Sequence, residues 1–205
     1  DISTDSYAGA VEQDVLQTQK NRYAIDFAAE AAKEFGFSQE VFNPCGKINA
    51  AAAEKGDQHN RQYVEHLKNM GEESTWLDSA DMKRITGSEY YLSGLLTPKT
   101  VTIQAAAYTR GFARGISEKV DIYEKTPVTA LERSNGFWNV RTPEGSVKAS
   151  KVILSVNGHL QSFGFMQSRL MHIFLYASMS RALSADEVRK LGGEPSWGVA
   201  PANPF

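Results

Sequence analysis

One cysteine, Cys45, is all the thiol chemistry this chain has, so an internal disulfide and a Cys-built zinc site are both excluded. A chain without disulfides fits a reducing compartment, and a cytoplasmic location is the expectation. No apolar run approaches the ~18 residues that a membrane-spanning helix needs. The opening stretch, DISTDSYAGAVEQDV, lacks the basic region and apolar core of a secretory signal. Charge of one sign is missing too. Lys and Arg total 22 against 24 Asp and Glu, a formal net charge of −2 that offers no field for nucleic acid or an anionic membrane. His59, His66, His159 and His172 stand without metal-ligand spacing, and H-E-x-x-H is absent, so no metal site is expected. His59 and His66 fall on a polar helical segment and read as surface. Neither G-x-G-x-x-G nor G-x-x-x-x-G-K-[ST] occurs, the two patterns whose backbone amides cradle phosphates. ILSVNG around Ser155 lacks the first glycine of the G-x-S-x-G nucleophile elbow, which removes the hydrolase reading.

What is present is an ordinary globular balance. The 205 residues are 41% hydrophobic and 22% charged, enough for one domain or two small ones. Residues 7–35 carry Val11, Val15, Leu16, Tyr23, Ile25, Phe27, Ala31 and Phe35 at roughly helical spacing, with Gly36 as a stop. VFNPCGKINAAA turns around Pro44 and Gly46 into a strand. Residues 58–70 are helical, with Tyr63, Val64, Leu67 and Met70 on one face, and Ser79 caps a short helix that ends at Gly87. Val101, Ala105, Tyr108 and Phe112 make one apolar stripe, while Gly111 and Gly115 permit a close approach on another face, expected to be that of a sheet. Residues 120–156 read as four or five short strands, with SNG at 134–136 and TPEG at 142–145 as turns. MHIFLYASM is a further strand-like run, and SADEVRKLGG is a capped helix: Ser184 as N-cap, Glu187 three residues on, Gly192 as stop. The expected class is α+β, with a mixed or antiparallel sheet and part of a nucleotide-binding domain around 97–160.

GSEYYLSGLLTPKTVTIQAAAYTRGFARG, followed by VDIYEKTPVTALERSNGFWNVRTPEGSVKASKVILSVNGHL, resembles the middle of the FAD-dependent oxidases of D-amino acids, sarcosine and glycine, the DAO family. RLMHIFLYASMSRAL is similar to the start of that family's second substrate-domain stretch. The resemblance implies four parts: a helical segment 1–40, substrate-domain pieces 41–96 and 161–205, and an FAD-domain remnant with a β-meander at 97–160. It also implies an internal fragment, because the glycine-rich ADP cradle and the C-terminal flavin-closing segment have no counterpart. The absence of a starting Met and the abrupt APANPF agree with cut ends.

On that resemblance, the strand TPVTALER offers backbone to the FAD adenine at Val128. The end of KVILSVNGHL meets the cofactor at Ser155, Val156, Asn157 and Gly158, where small side chains permit close approach. Amine or amino-acid oxidation moves a hydride to the flavin, so the protein's task is to hold the substrate. His172 and Tyr176, four apart on one face if the run is a strand, are the candidate catalytic pair; a half-buried sheet surface is the competing reading. The implied partners are an amine or amino acid and, through apolar surface bared by truncation, a second copy of the chain. FAD is expected in the parent protein and not retained by the fragment, which is expected to be inactive. A self-standing, non-catalytic α+β binding module is the alternative.

Overall fold

The computed structural model describes residues 11–174, 176 and 178–202. In chain order the elements are α1 (Val11–Glu34), β1 (Phe42–Asn43), β2 (Lys47–Ala51), α2 (Glu54–Asn69), β3 (Thr75–Leu77), α3 (Ser79–Thr86), β4 (Ser93–Thr97), β5 (Thr102–Ile103) and α4 (Ala105–Ile116). Then follow β6 (Ala130–Ser134), β7 (Phe137–Thr142), β8 (Gly145–Ala149), a 3-10 helix (Asn157–Phe163), α5 (Ala185–Leu191) and β9 (Val199–Pro201). This is the expected α+β class, with mixed and antiparallel sheets. The chain divides into two units: residues up to Lys119 together with those from Ala182 onward, and Val120–Arg181.

The first unit is built on a four-stranded sheet of order β3-β4-β2-β9, in which β2 runs antiparallel to β4 and parallel to β9. The register sets Ile48 opposite Leu96 and Ala50 opposite Gly94, so alternate residues feed two faces. Ile48 and Ala50 pack with Leu77 and with Met82 and Ile85 of α3. Leu95 packs on the other face with Tyr63 and Leu67 of α2. Gly94 is there because of Met82: a Cβ at residue 94 would overlap the Met82 sulfur and lie 2.8 Å from Ile48 Cγ2. The side chain of Asp78, one residue ahead of the expected Ser79, caps α3 by accepting from the Asp81 amide at 2.9 Å. Gly87 ends that helix at φ 75°.

The long helix α1 has no interior Gly or Pro and buries fully only Ala31 and Ala32 among its residues. Its C-terminal end is fastened to α4 by aromatic rings. Phe35 meets Phe112 edge-on at 5.6 Å, and Phe37 meets Tyr108 at 5.2 Å. The expectation of a helix–sheet approach at Gly111 and Gly115 is corrected here: the rings of Phe37 and Phe35 fill the space that side chains there would need.

Helix α2 corrects a second expectation. His59 and His66 are not surface residues; they are 7% and 4% exposed. The buried face of α2 is largely polar, with Asp57, His59, Asn60 and His66 beside Tyr63 and Leu67. Asp57, Asn60 and His66 find partners distant in sequence, which composition does not reveal. His66 Nε2 lies 2.9 Å from Asp14 Oδ2 of α1, Asn60 Nδ2 donates to the Asn49 carbonyl at 2.9 Å, and the Ser93 hydroxyl donates to Asp57 Oδ1 at 2.6 Å.

The second unit is a β6-β7-β8 antiparallel meander followed by coil and the 3-10 helix. Asn135 at φ 51° and Gly136 at φ 79° form its first turn, whose left-handed backbone matches strand twist. Three strands form where four or five were expected. Residues 151–156 pair with no strand among the described residues and are coil, so the reading of KVILSV as a buried strand is wrong. Their alternation survives: Val152 and Leu154 are half-buried while Ile153 is 89% exposed. A strand needs a hydrogen-bonding partner as well as a pattern, and none of the described residues supplies one. The described part of MHIFLYASM is also coil, for the same reason.

Two outcomes follow for the first unit. Met82 has no exposed surface, so Met82→Ala is expected to cost about 2–5 kcal/mol in denaturant unfolding. The Ser93 hydroxyl, helped by Arg61 and opposed by burial, holds the Asp57 carboxyl below its usual 3.8. A depressed carboxylate stabilises above its unfolded pKa and loses that contribution as pH falls through its folded pKa. Ser93→Ala should therefore flatten the fall of unfolding midpoint between about pH 5 and pH 2.

Candidate functional site

Every site residue read from the sequence falls in the second unit, between Val120 and Arg181. Val128 precedes β6, where the Thr129 amide already donates to the Arg141 carbonyl at 2.8 Å. It is 37% exposed and makes no hydrogen bond among the described residues. Ser155 and Asn157 are exposed, Val156 and Gly158 half-buried. Val156 is the N-cap of the 3-10 helix, and its carbonyl accepts from the His159 amide at 3.1 Å. Asn157 takes φ 50°, a left-handed conformation that asparagine tolerates better than most residues.

The structure brings two of the candidates together. The Nε2 edge of the His172 imidazole sits where a Cβ on Gly158 would be. The reason for glycine at 158 is thus the approach of a ring from this same unit. His172 is otherwise exposed, and Tyr176 is 98% exposed. The strand face that was to unite them is absent.

The segment carrying His172 is tied back by Gln161, which reasoning from sequence missed. Gln161 Nε2 donates to the Leu170 carbonyl at 3.3 Å, and its own carbonyl accepts from Gln167 Nε2 at 2.7 Å. Also missed was an apolar cavity of about 380 Å3 lined by Leu131, Trp138, Val152, Leu154, Phe165 and Met166. The signal for half of it was available: Val152 and Leu154 are the inward residues of the alternating run, and Leu131 and Trp138 lie on adjacent paired strands.

These features fit a flat cofactor in part. Among the described residues the backbone groups of Val128 and Ser155 have no hydrogen-bond partner, and a ring edge can use them. Gly158 is half-buried, and on its Cβ side the space is taken by the His172 ring. Among the described residues no group of three or more His, Cys, Asp or Glu could hold a metal ion, and no helix is long and apolar enough to cross a membrane.

The model of the DAO family, FAD dependent oxidoreductase, matches residues 7–196, and the chain belongs to that family. The probable oxidoreductase OrdL of Haemophilus influenzae is 30% identical over 98 residues, which make up 47% of this chain and 23% of that protein. Among solved structures, L-amino acid deaminase from Proteus myxofaciens aligns with a TM-score of 0.62 at 17% identity, covering 82% of this chain and 38% of that one. Glycine oxidase from Bacillus cereus gives 0.56 at 24% identity, covering 65% and 38%. L-proline dehydrogenase from P. horikoshii gives 0.60 at 17%, covering 70% and 39%. At these identities the structural likeness establishes the fold. The chain spans about a quarter of the curated relative and about two fifths of these structures.

The Gly158–His172 contact is testable by a double-mutant cycle. Gly158→Ala is expected to cost about 1–3 kcal/mol by overlap with the ring. In a His172→Ala background most of that cost should vanish, a non-additivity measured by denaturant unfolding. Equal costs in both backgrounds would contradict the contact.

Proposed function

We propose that this chain is part of a flavoprotein that oxidises an amine or amino acid by hydride transfer to FAD, and that the chain alone does not turn over. The observation that carries the reading is the family match over residues 7–196. The meeting of the glycine turn with His172 supports it. FAD, when bound, supplies the hydride acceptor. Val128, Ser155, Val156 and Asn157 hold it by backbone contact, and Gly158 serves by seating His172. His172 presents its Nε2 edge to Gly158, which leaves Nδ1 for the substrate amine. Tyr176 closes the substrate side.

Inactivity of the chain alone rests on two physical points. It carries no glycine-rich phosphate cradle, and pyrophosphate contacts at such a cradle are a large part of dinucleotide binding. Residues 151–156, which lead to the proposed cofactor turn, have no strand partner among the described residues to hold them in place.

The decisive experiment is an absorbance spectrum after mixing the chain with FAD and desalting, followed by a dye-reduction assay with amines. The expected result is a colourless chain and no amine-dependent reduction. Retained flavin with turnover would contradict the inactivity. The protein translated from the whole reading frame should carry flavin and reduce dye; a colourless, inactive product would overturn the oxidoreductase reading.

A second reading is favoured by exposed apolar side chains. Met171, Phe174, Tyr176 and Met179 are each at least 80% exposed. A non-catalytic module that pairs through this run would sediment as a dimer, and Phe174→Ser with Met179→Ser would return it to a monomer.

A further inference from the structure

The first unit, which holds none of the candidate cofactor residues, contains a cavity of about 680 Å3 between α4 and residues 35–41, which follow α1. Arg110 and Arg114 line it, four residues apart on α4, a spacing that sets their Cβ atoms about 6 Å from each other. Like charges so placed repel and weaken a helix unless something neutralises them. Elsewhere Arg22 meets Glu72, Arg61 meets Asp57 and Arg141 meets Glu132. Arg110 and Arg114 have no hydrogen-bond or ion-pair partner among the described residues. No Asp or Glu among those residues lines the cavity, and Glu34, at the end of α1, is taken by Lys119 at 2.9 Å. Two permanent positive charges thus face one cavity without a carboxylate in its lining. Ser38 adds an amide and a hydroxyl that have no partner among the described residues. Phe35, Phe37 and Val41 supply an apolar wall.

Guanidinium forks match the oxygens of carboxylates and phosphates. A phosphoryl group carries nearly two charges and three acceptor oxygens on one centre, so both forks can close on it together. A carboxylate brings one charge and two oxygens. The volume exceeds what bare phosphate fills, and the aromatic wall favours a flat organic body. We propose that this cavity binds small aryl phosphate monoesters, with Arg110 and Arg114 gripping the phosphate and Phe35 and Phe37 facing the ring. The site goes beyond the flavin reading and does not rest on it.

Phenyl phosphate is the probe, in about 0.15 M salt, where exposed charges more than ~8 Å apart are screened. Amide NMR titration of the 205-residue chain should give saturable shifts clustered at residues 36–38 and 107–115. Arg110→Gln and Arg114→Gln should each weaken binding by about tenfold or more. Arg114→Lys, which keeps the charge and loses the fork, should recover only part of that loss. Benzoate, with the same ring and a single charge, should bind at least about tenfold more weakly than phenyl phosphate. Absent or scattered shifts, equal affinity for benzoate, or unchanged affinity in either Gln variant would overturn the proposal. Both arginines are exposed, so the variants are expected to fold. Should they not, the comparison of phenyl phosphate with benzoate on the unmodified chain decides.

Discussion

Backbone pairing on both edges of β2 is the constraint from which the first unit is assembled. Lys47–Ala51 is held antiparallel by β4 along its whole length and parallel by β9 on its other side. Its flanks are tied as well: the Gly46 amide donates to the Thr100 carbonyl, and the Ala51 carbonyl accepts from Leu92. With β2 fixed, its alternation delivers Ile48 and Ala50 to α3 and leaves Asn49 to receive Asn60 of α2. Helix α2 therefore docks through hydrogen bonds as much as through Tyr63 and Leu67. Such a buried polar face costs free energy unless every group finds a partner in one arrangement.

The second unit shows what happens when the same kind of sequence lacks partners. KVILSV has the composition and alternation of a strand, yet none of the described residues pairs with it and it remains coil. Its inward residues still find the meander and line an apolar cavity with Leu131 and Trp138. Pattern is thus sufficient for hydrophobic docking and insufficient for a ladder. The functional consequence is direct. Tight binding needs a rigidly held turn, and the turn proposed to meet the cofactor follows a run that has no strand partner among the described residues. The weak cofactor retention proposed for this chain is compatible with its membership of the DAO family for that reason.

Much of the fold is legible in the sequence wherever the deciding contacts are local. The box formed by Ser184 and Glu187 is present at α5, with both hydrogen bonds made. The Asn135–Gly136 turn and the helix stops at Gly36 and Gly87 also need only their own backbone. The α3 cap moved by one residue, to Asp78, because two adjacent side chains are both competent acceptors. What was not legible is non-local. His66 is buried because Asp14, fifty-two positions away, meets it. The candidate site is legible in its parts, since the glycine turn and His172 were both singled out. Their contact was not, because it depends on coil geometry held by Gln161 rather than on any period.

Amide hydrogen exchange on the whole chain tests this account most directly. Amides of β2 and β4 should exchange only through global opening of the first unit, whereas those of 151–156 should exchange close to the rate of an unstructured peptide. Strong protection across 151–156 would mean that the run is paired after all, and would contradict the claim that the turn proposed to meet the cofactor follows an unpaired coil.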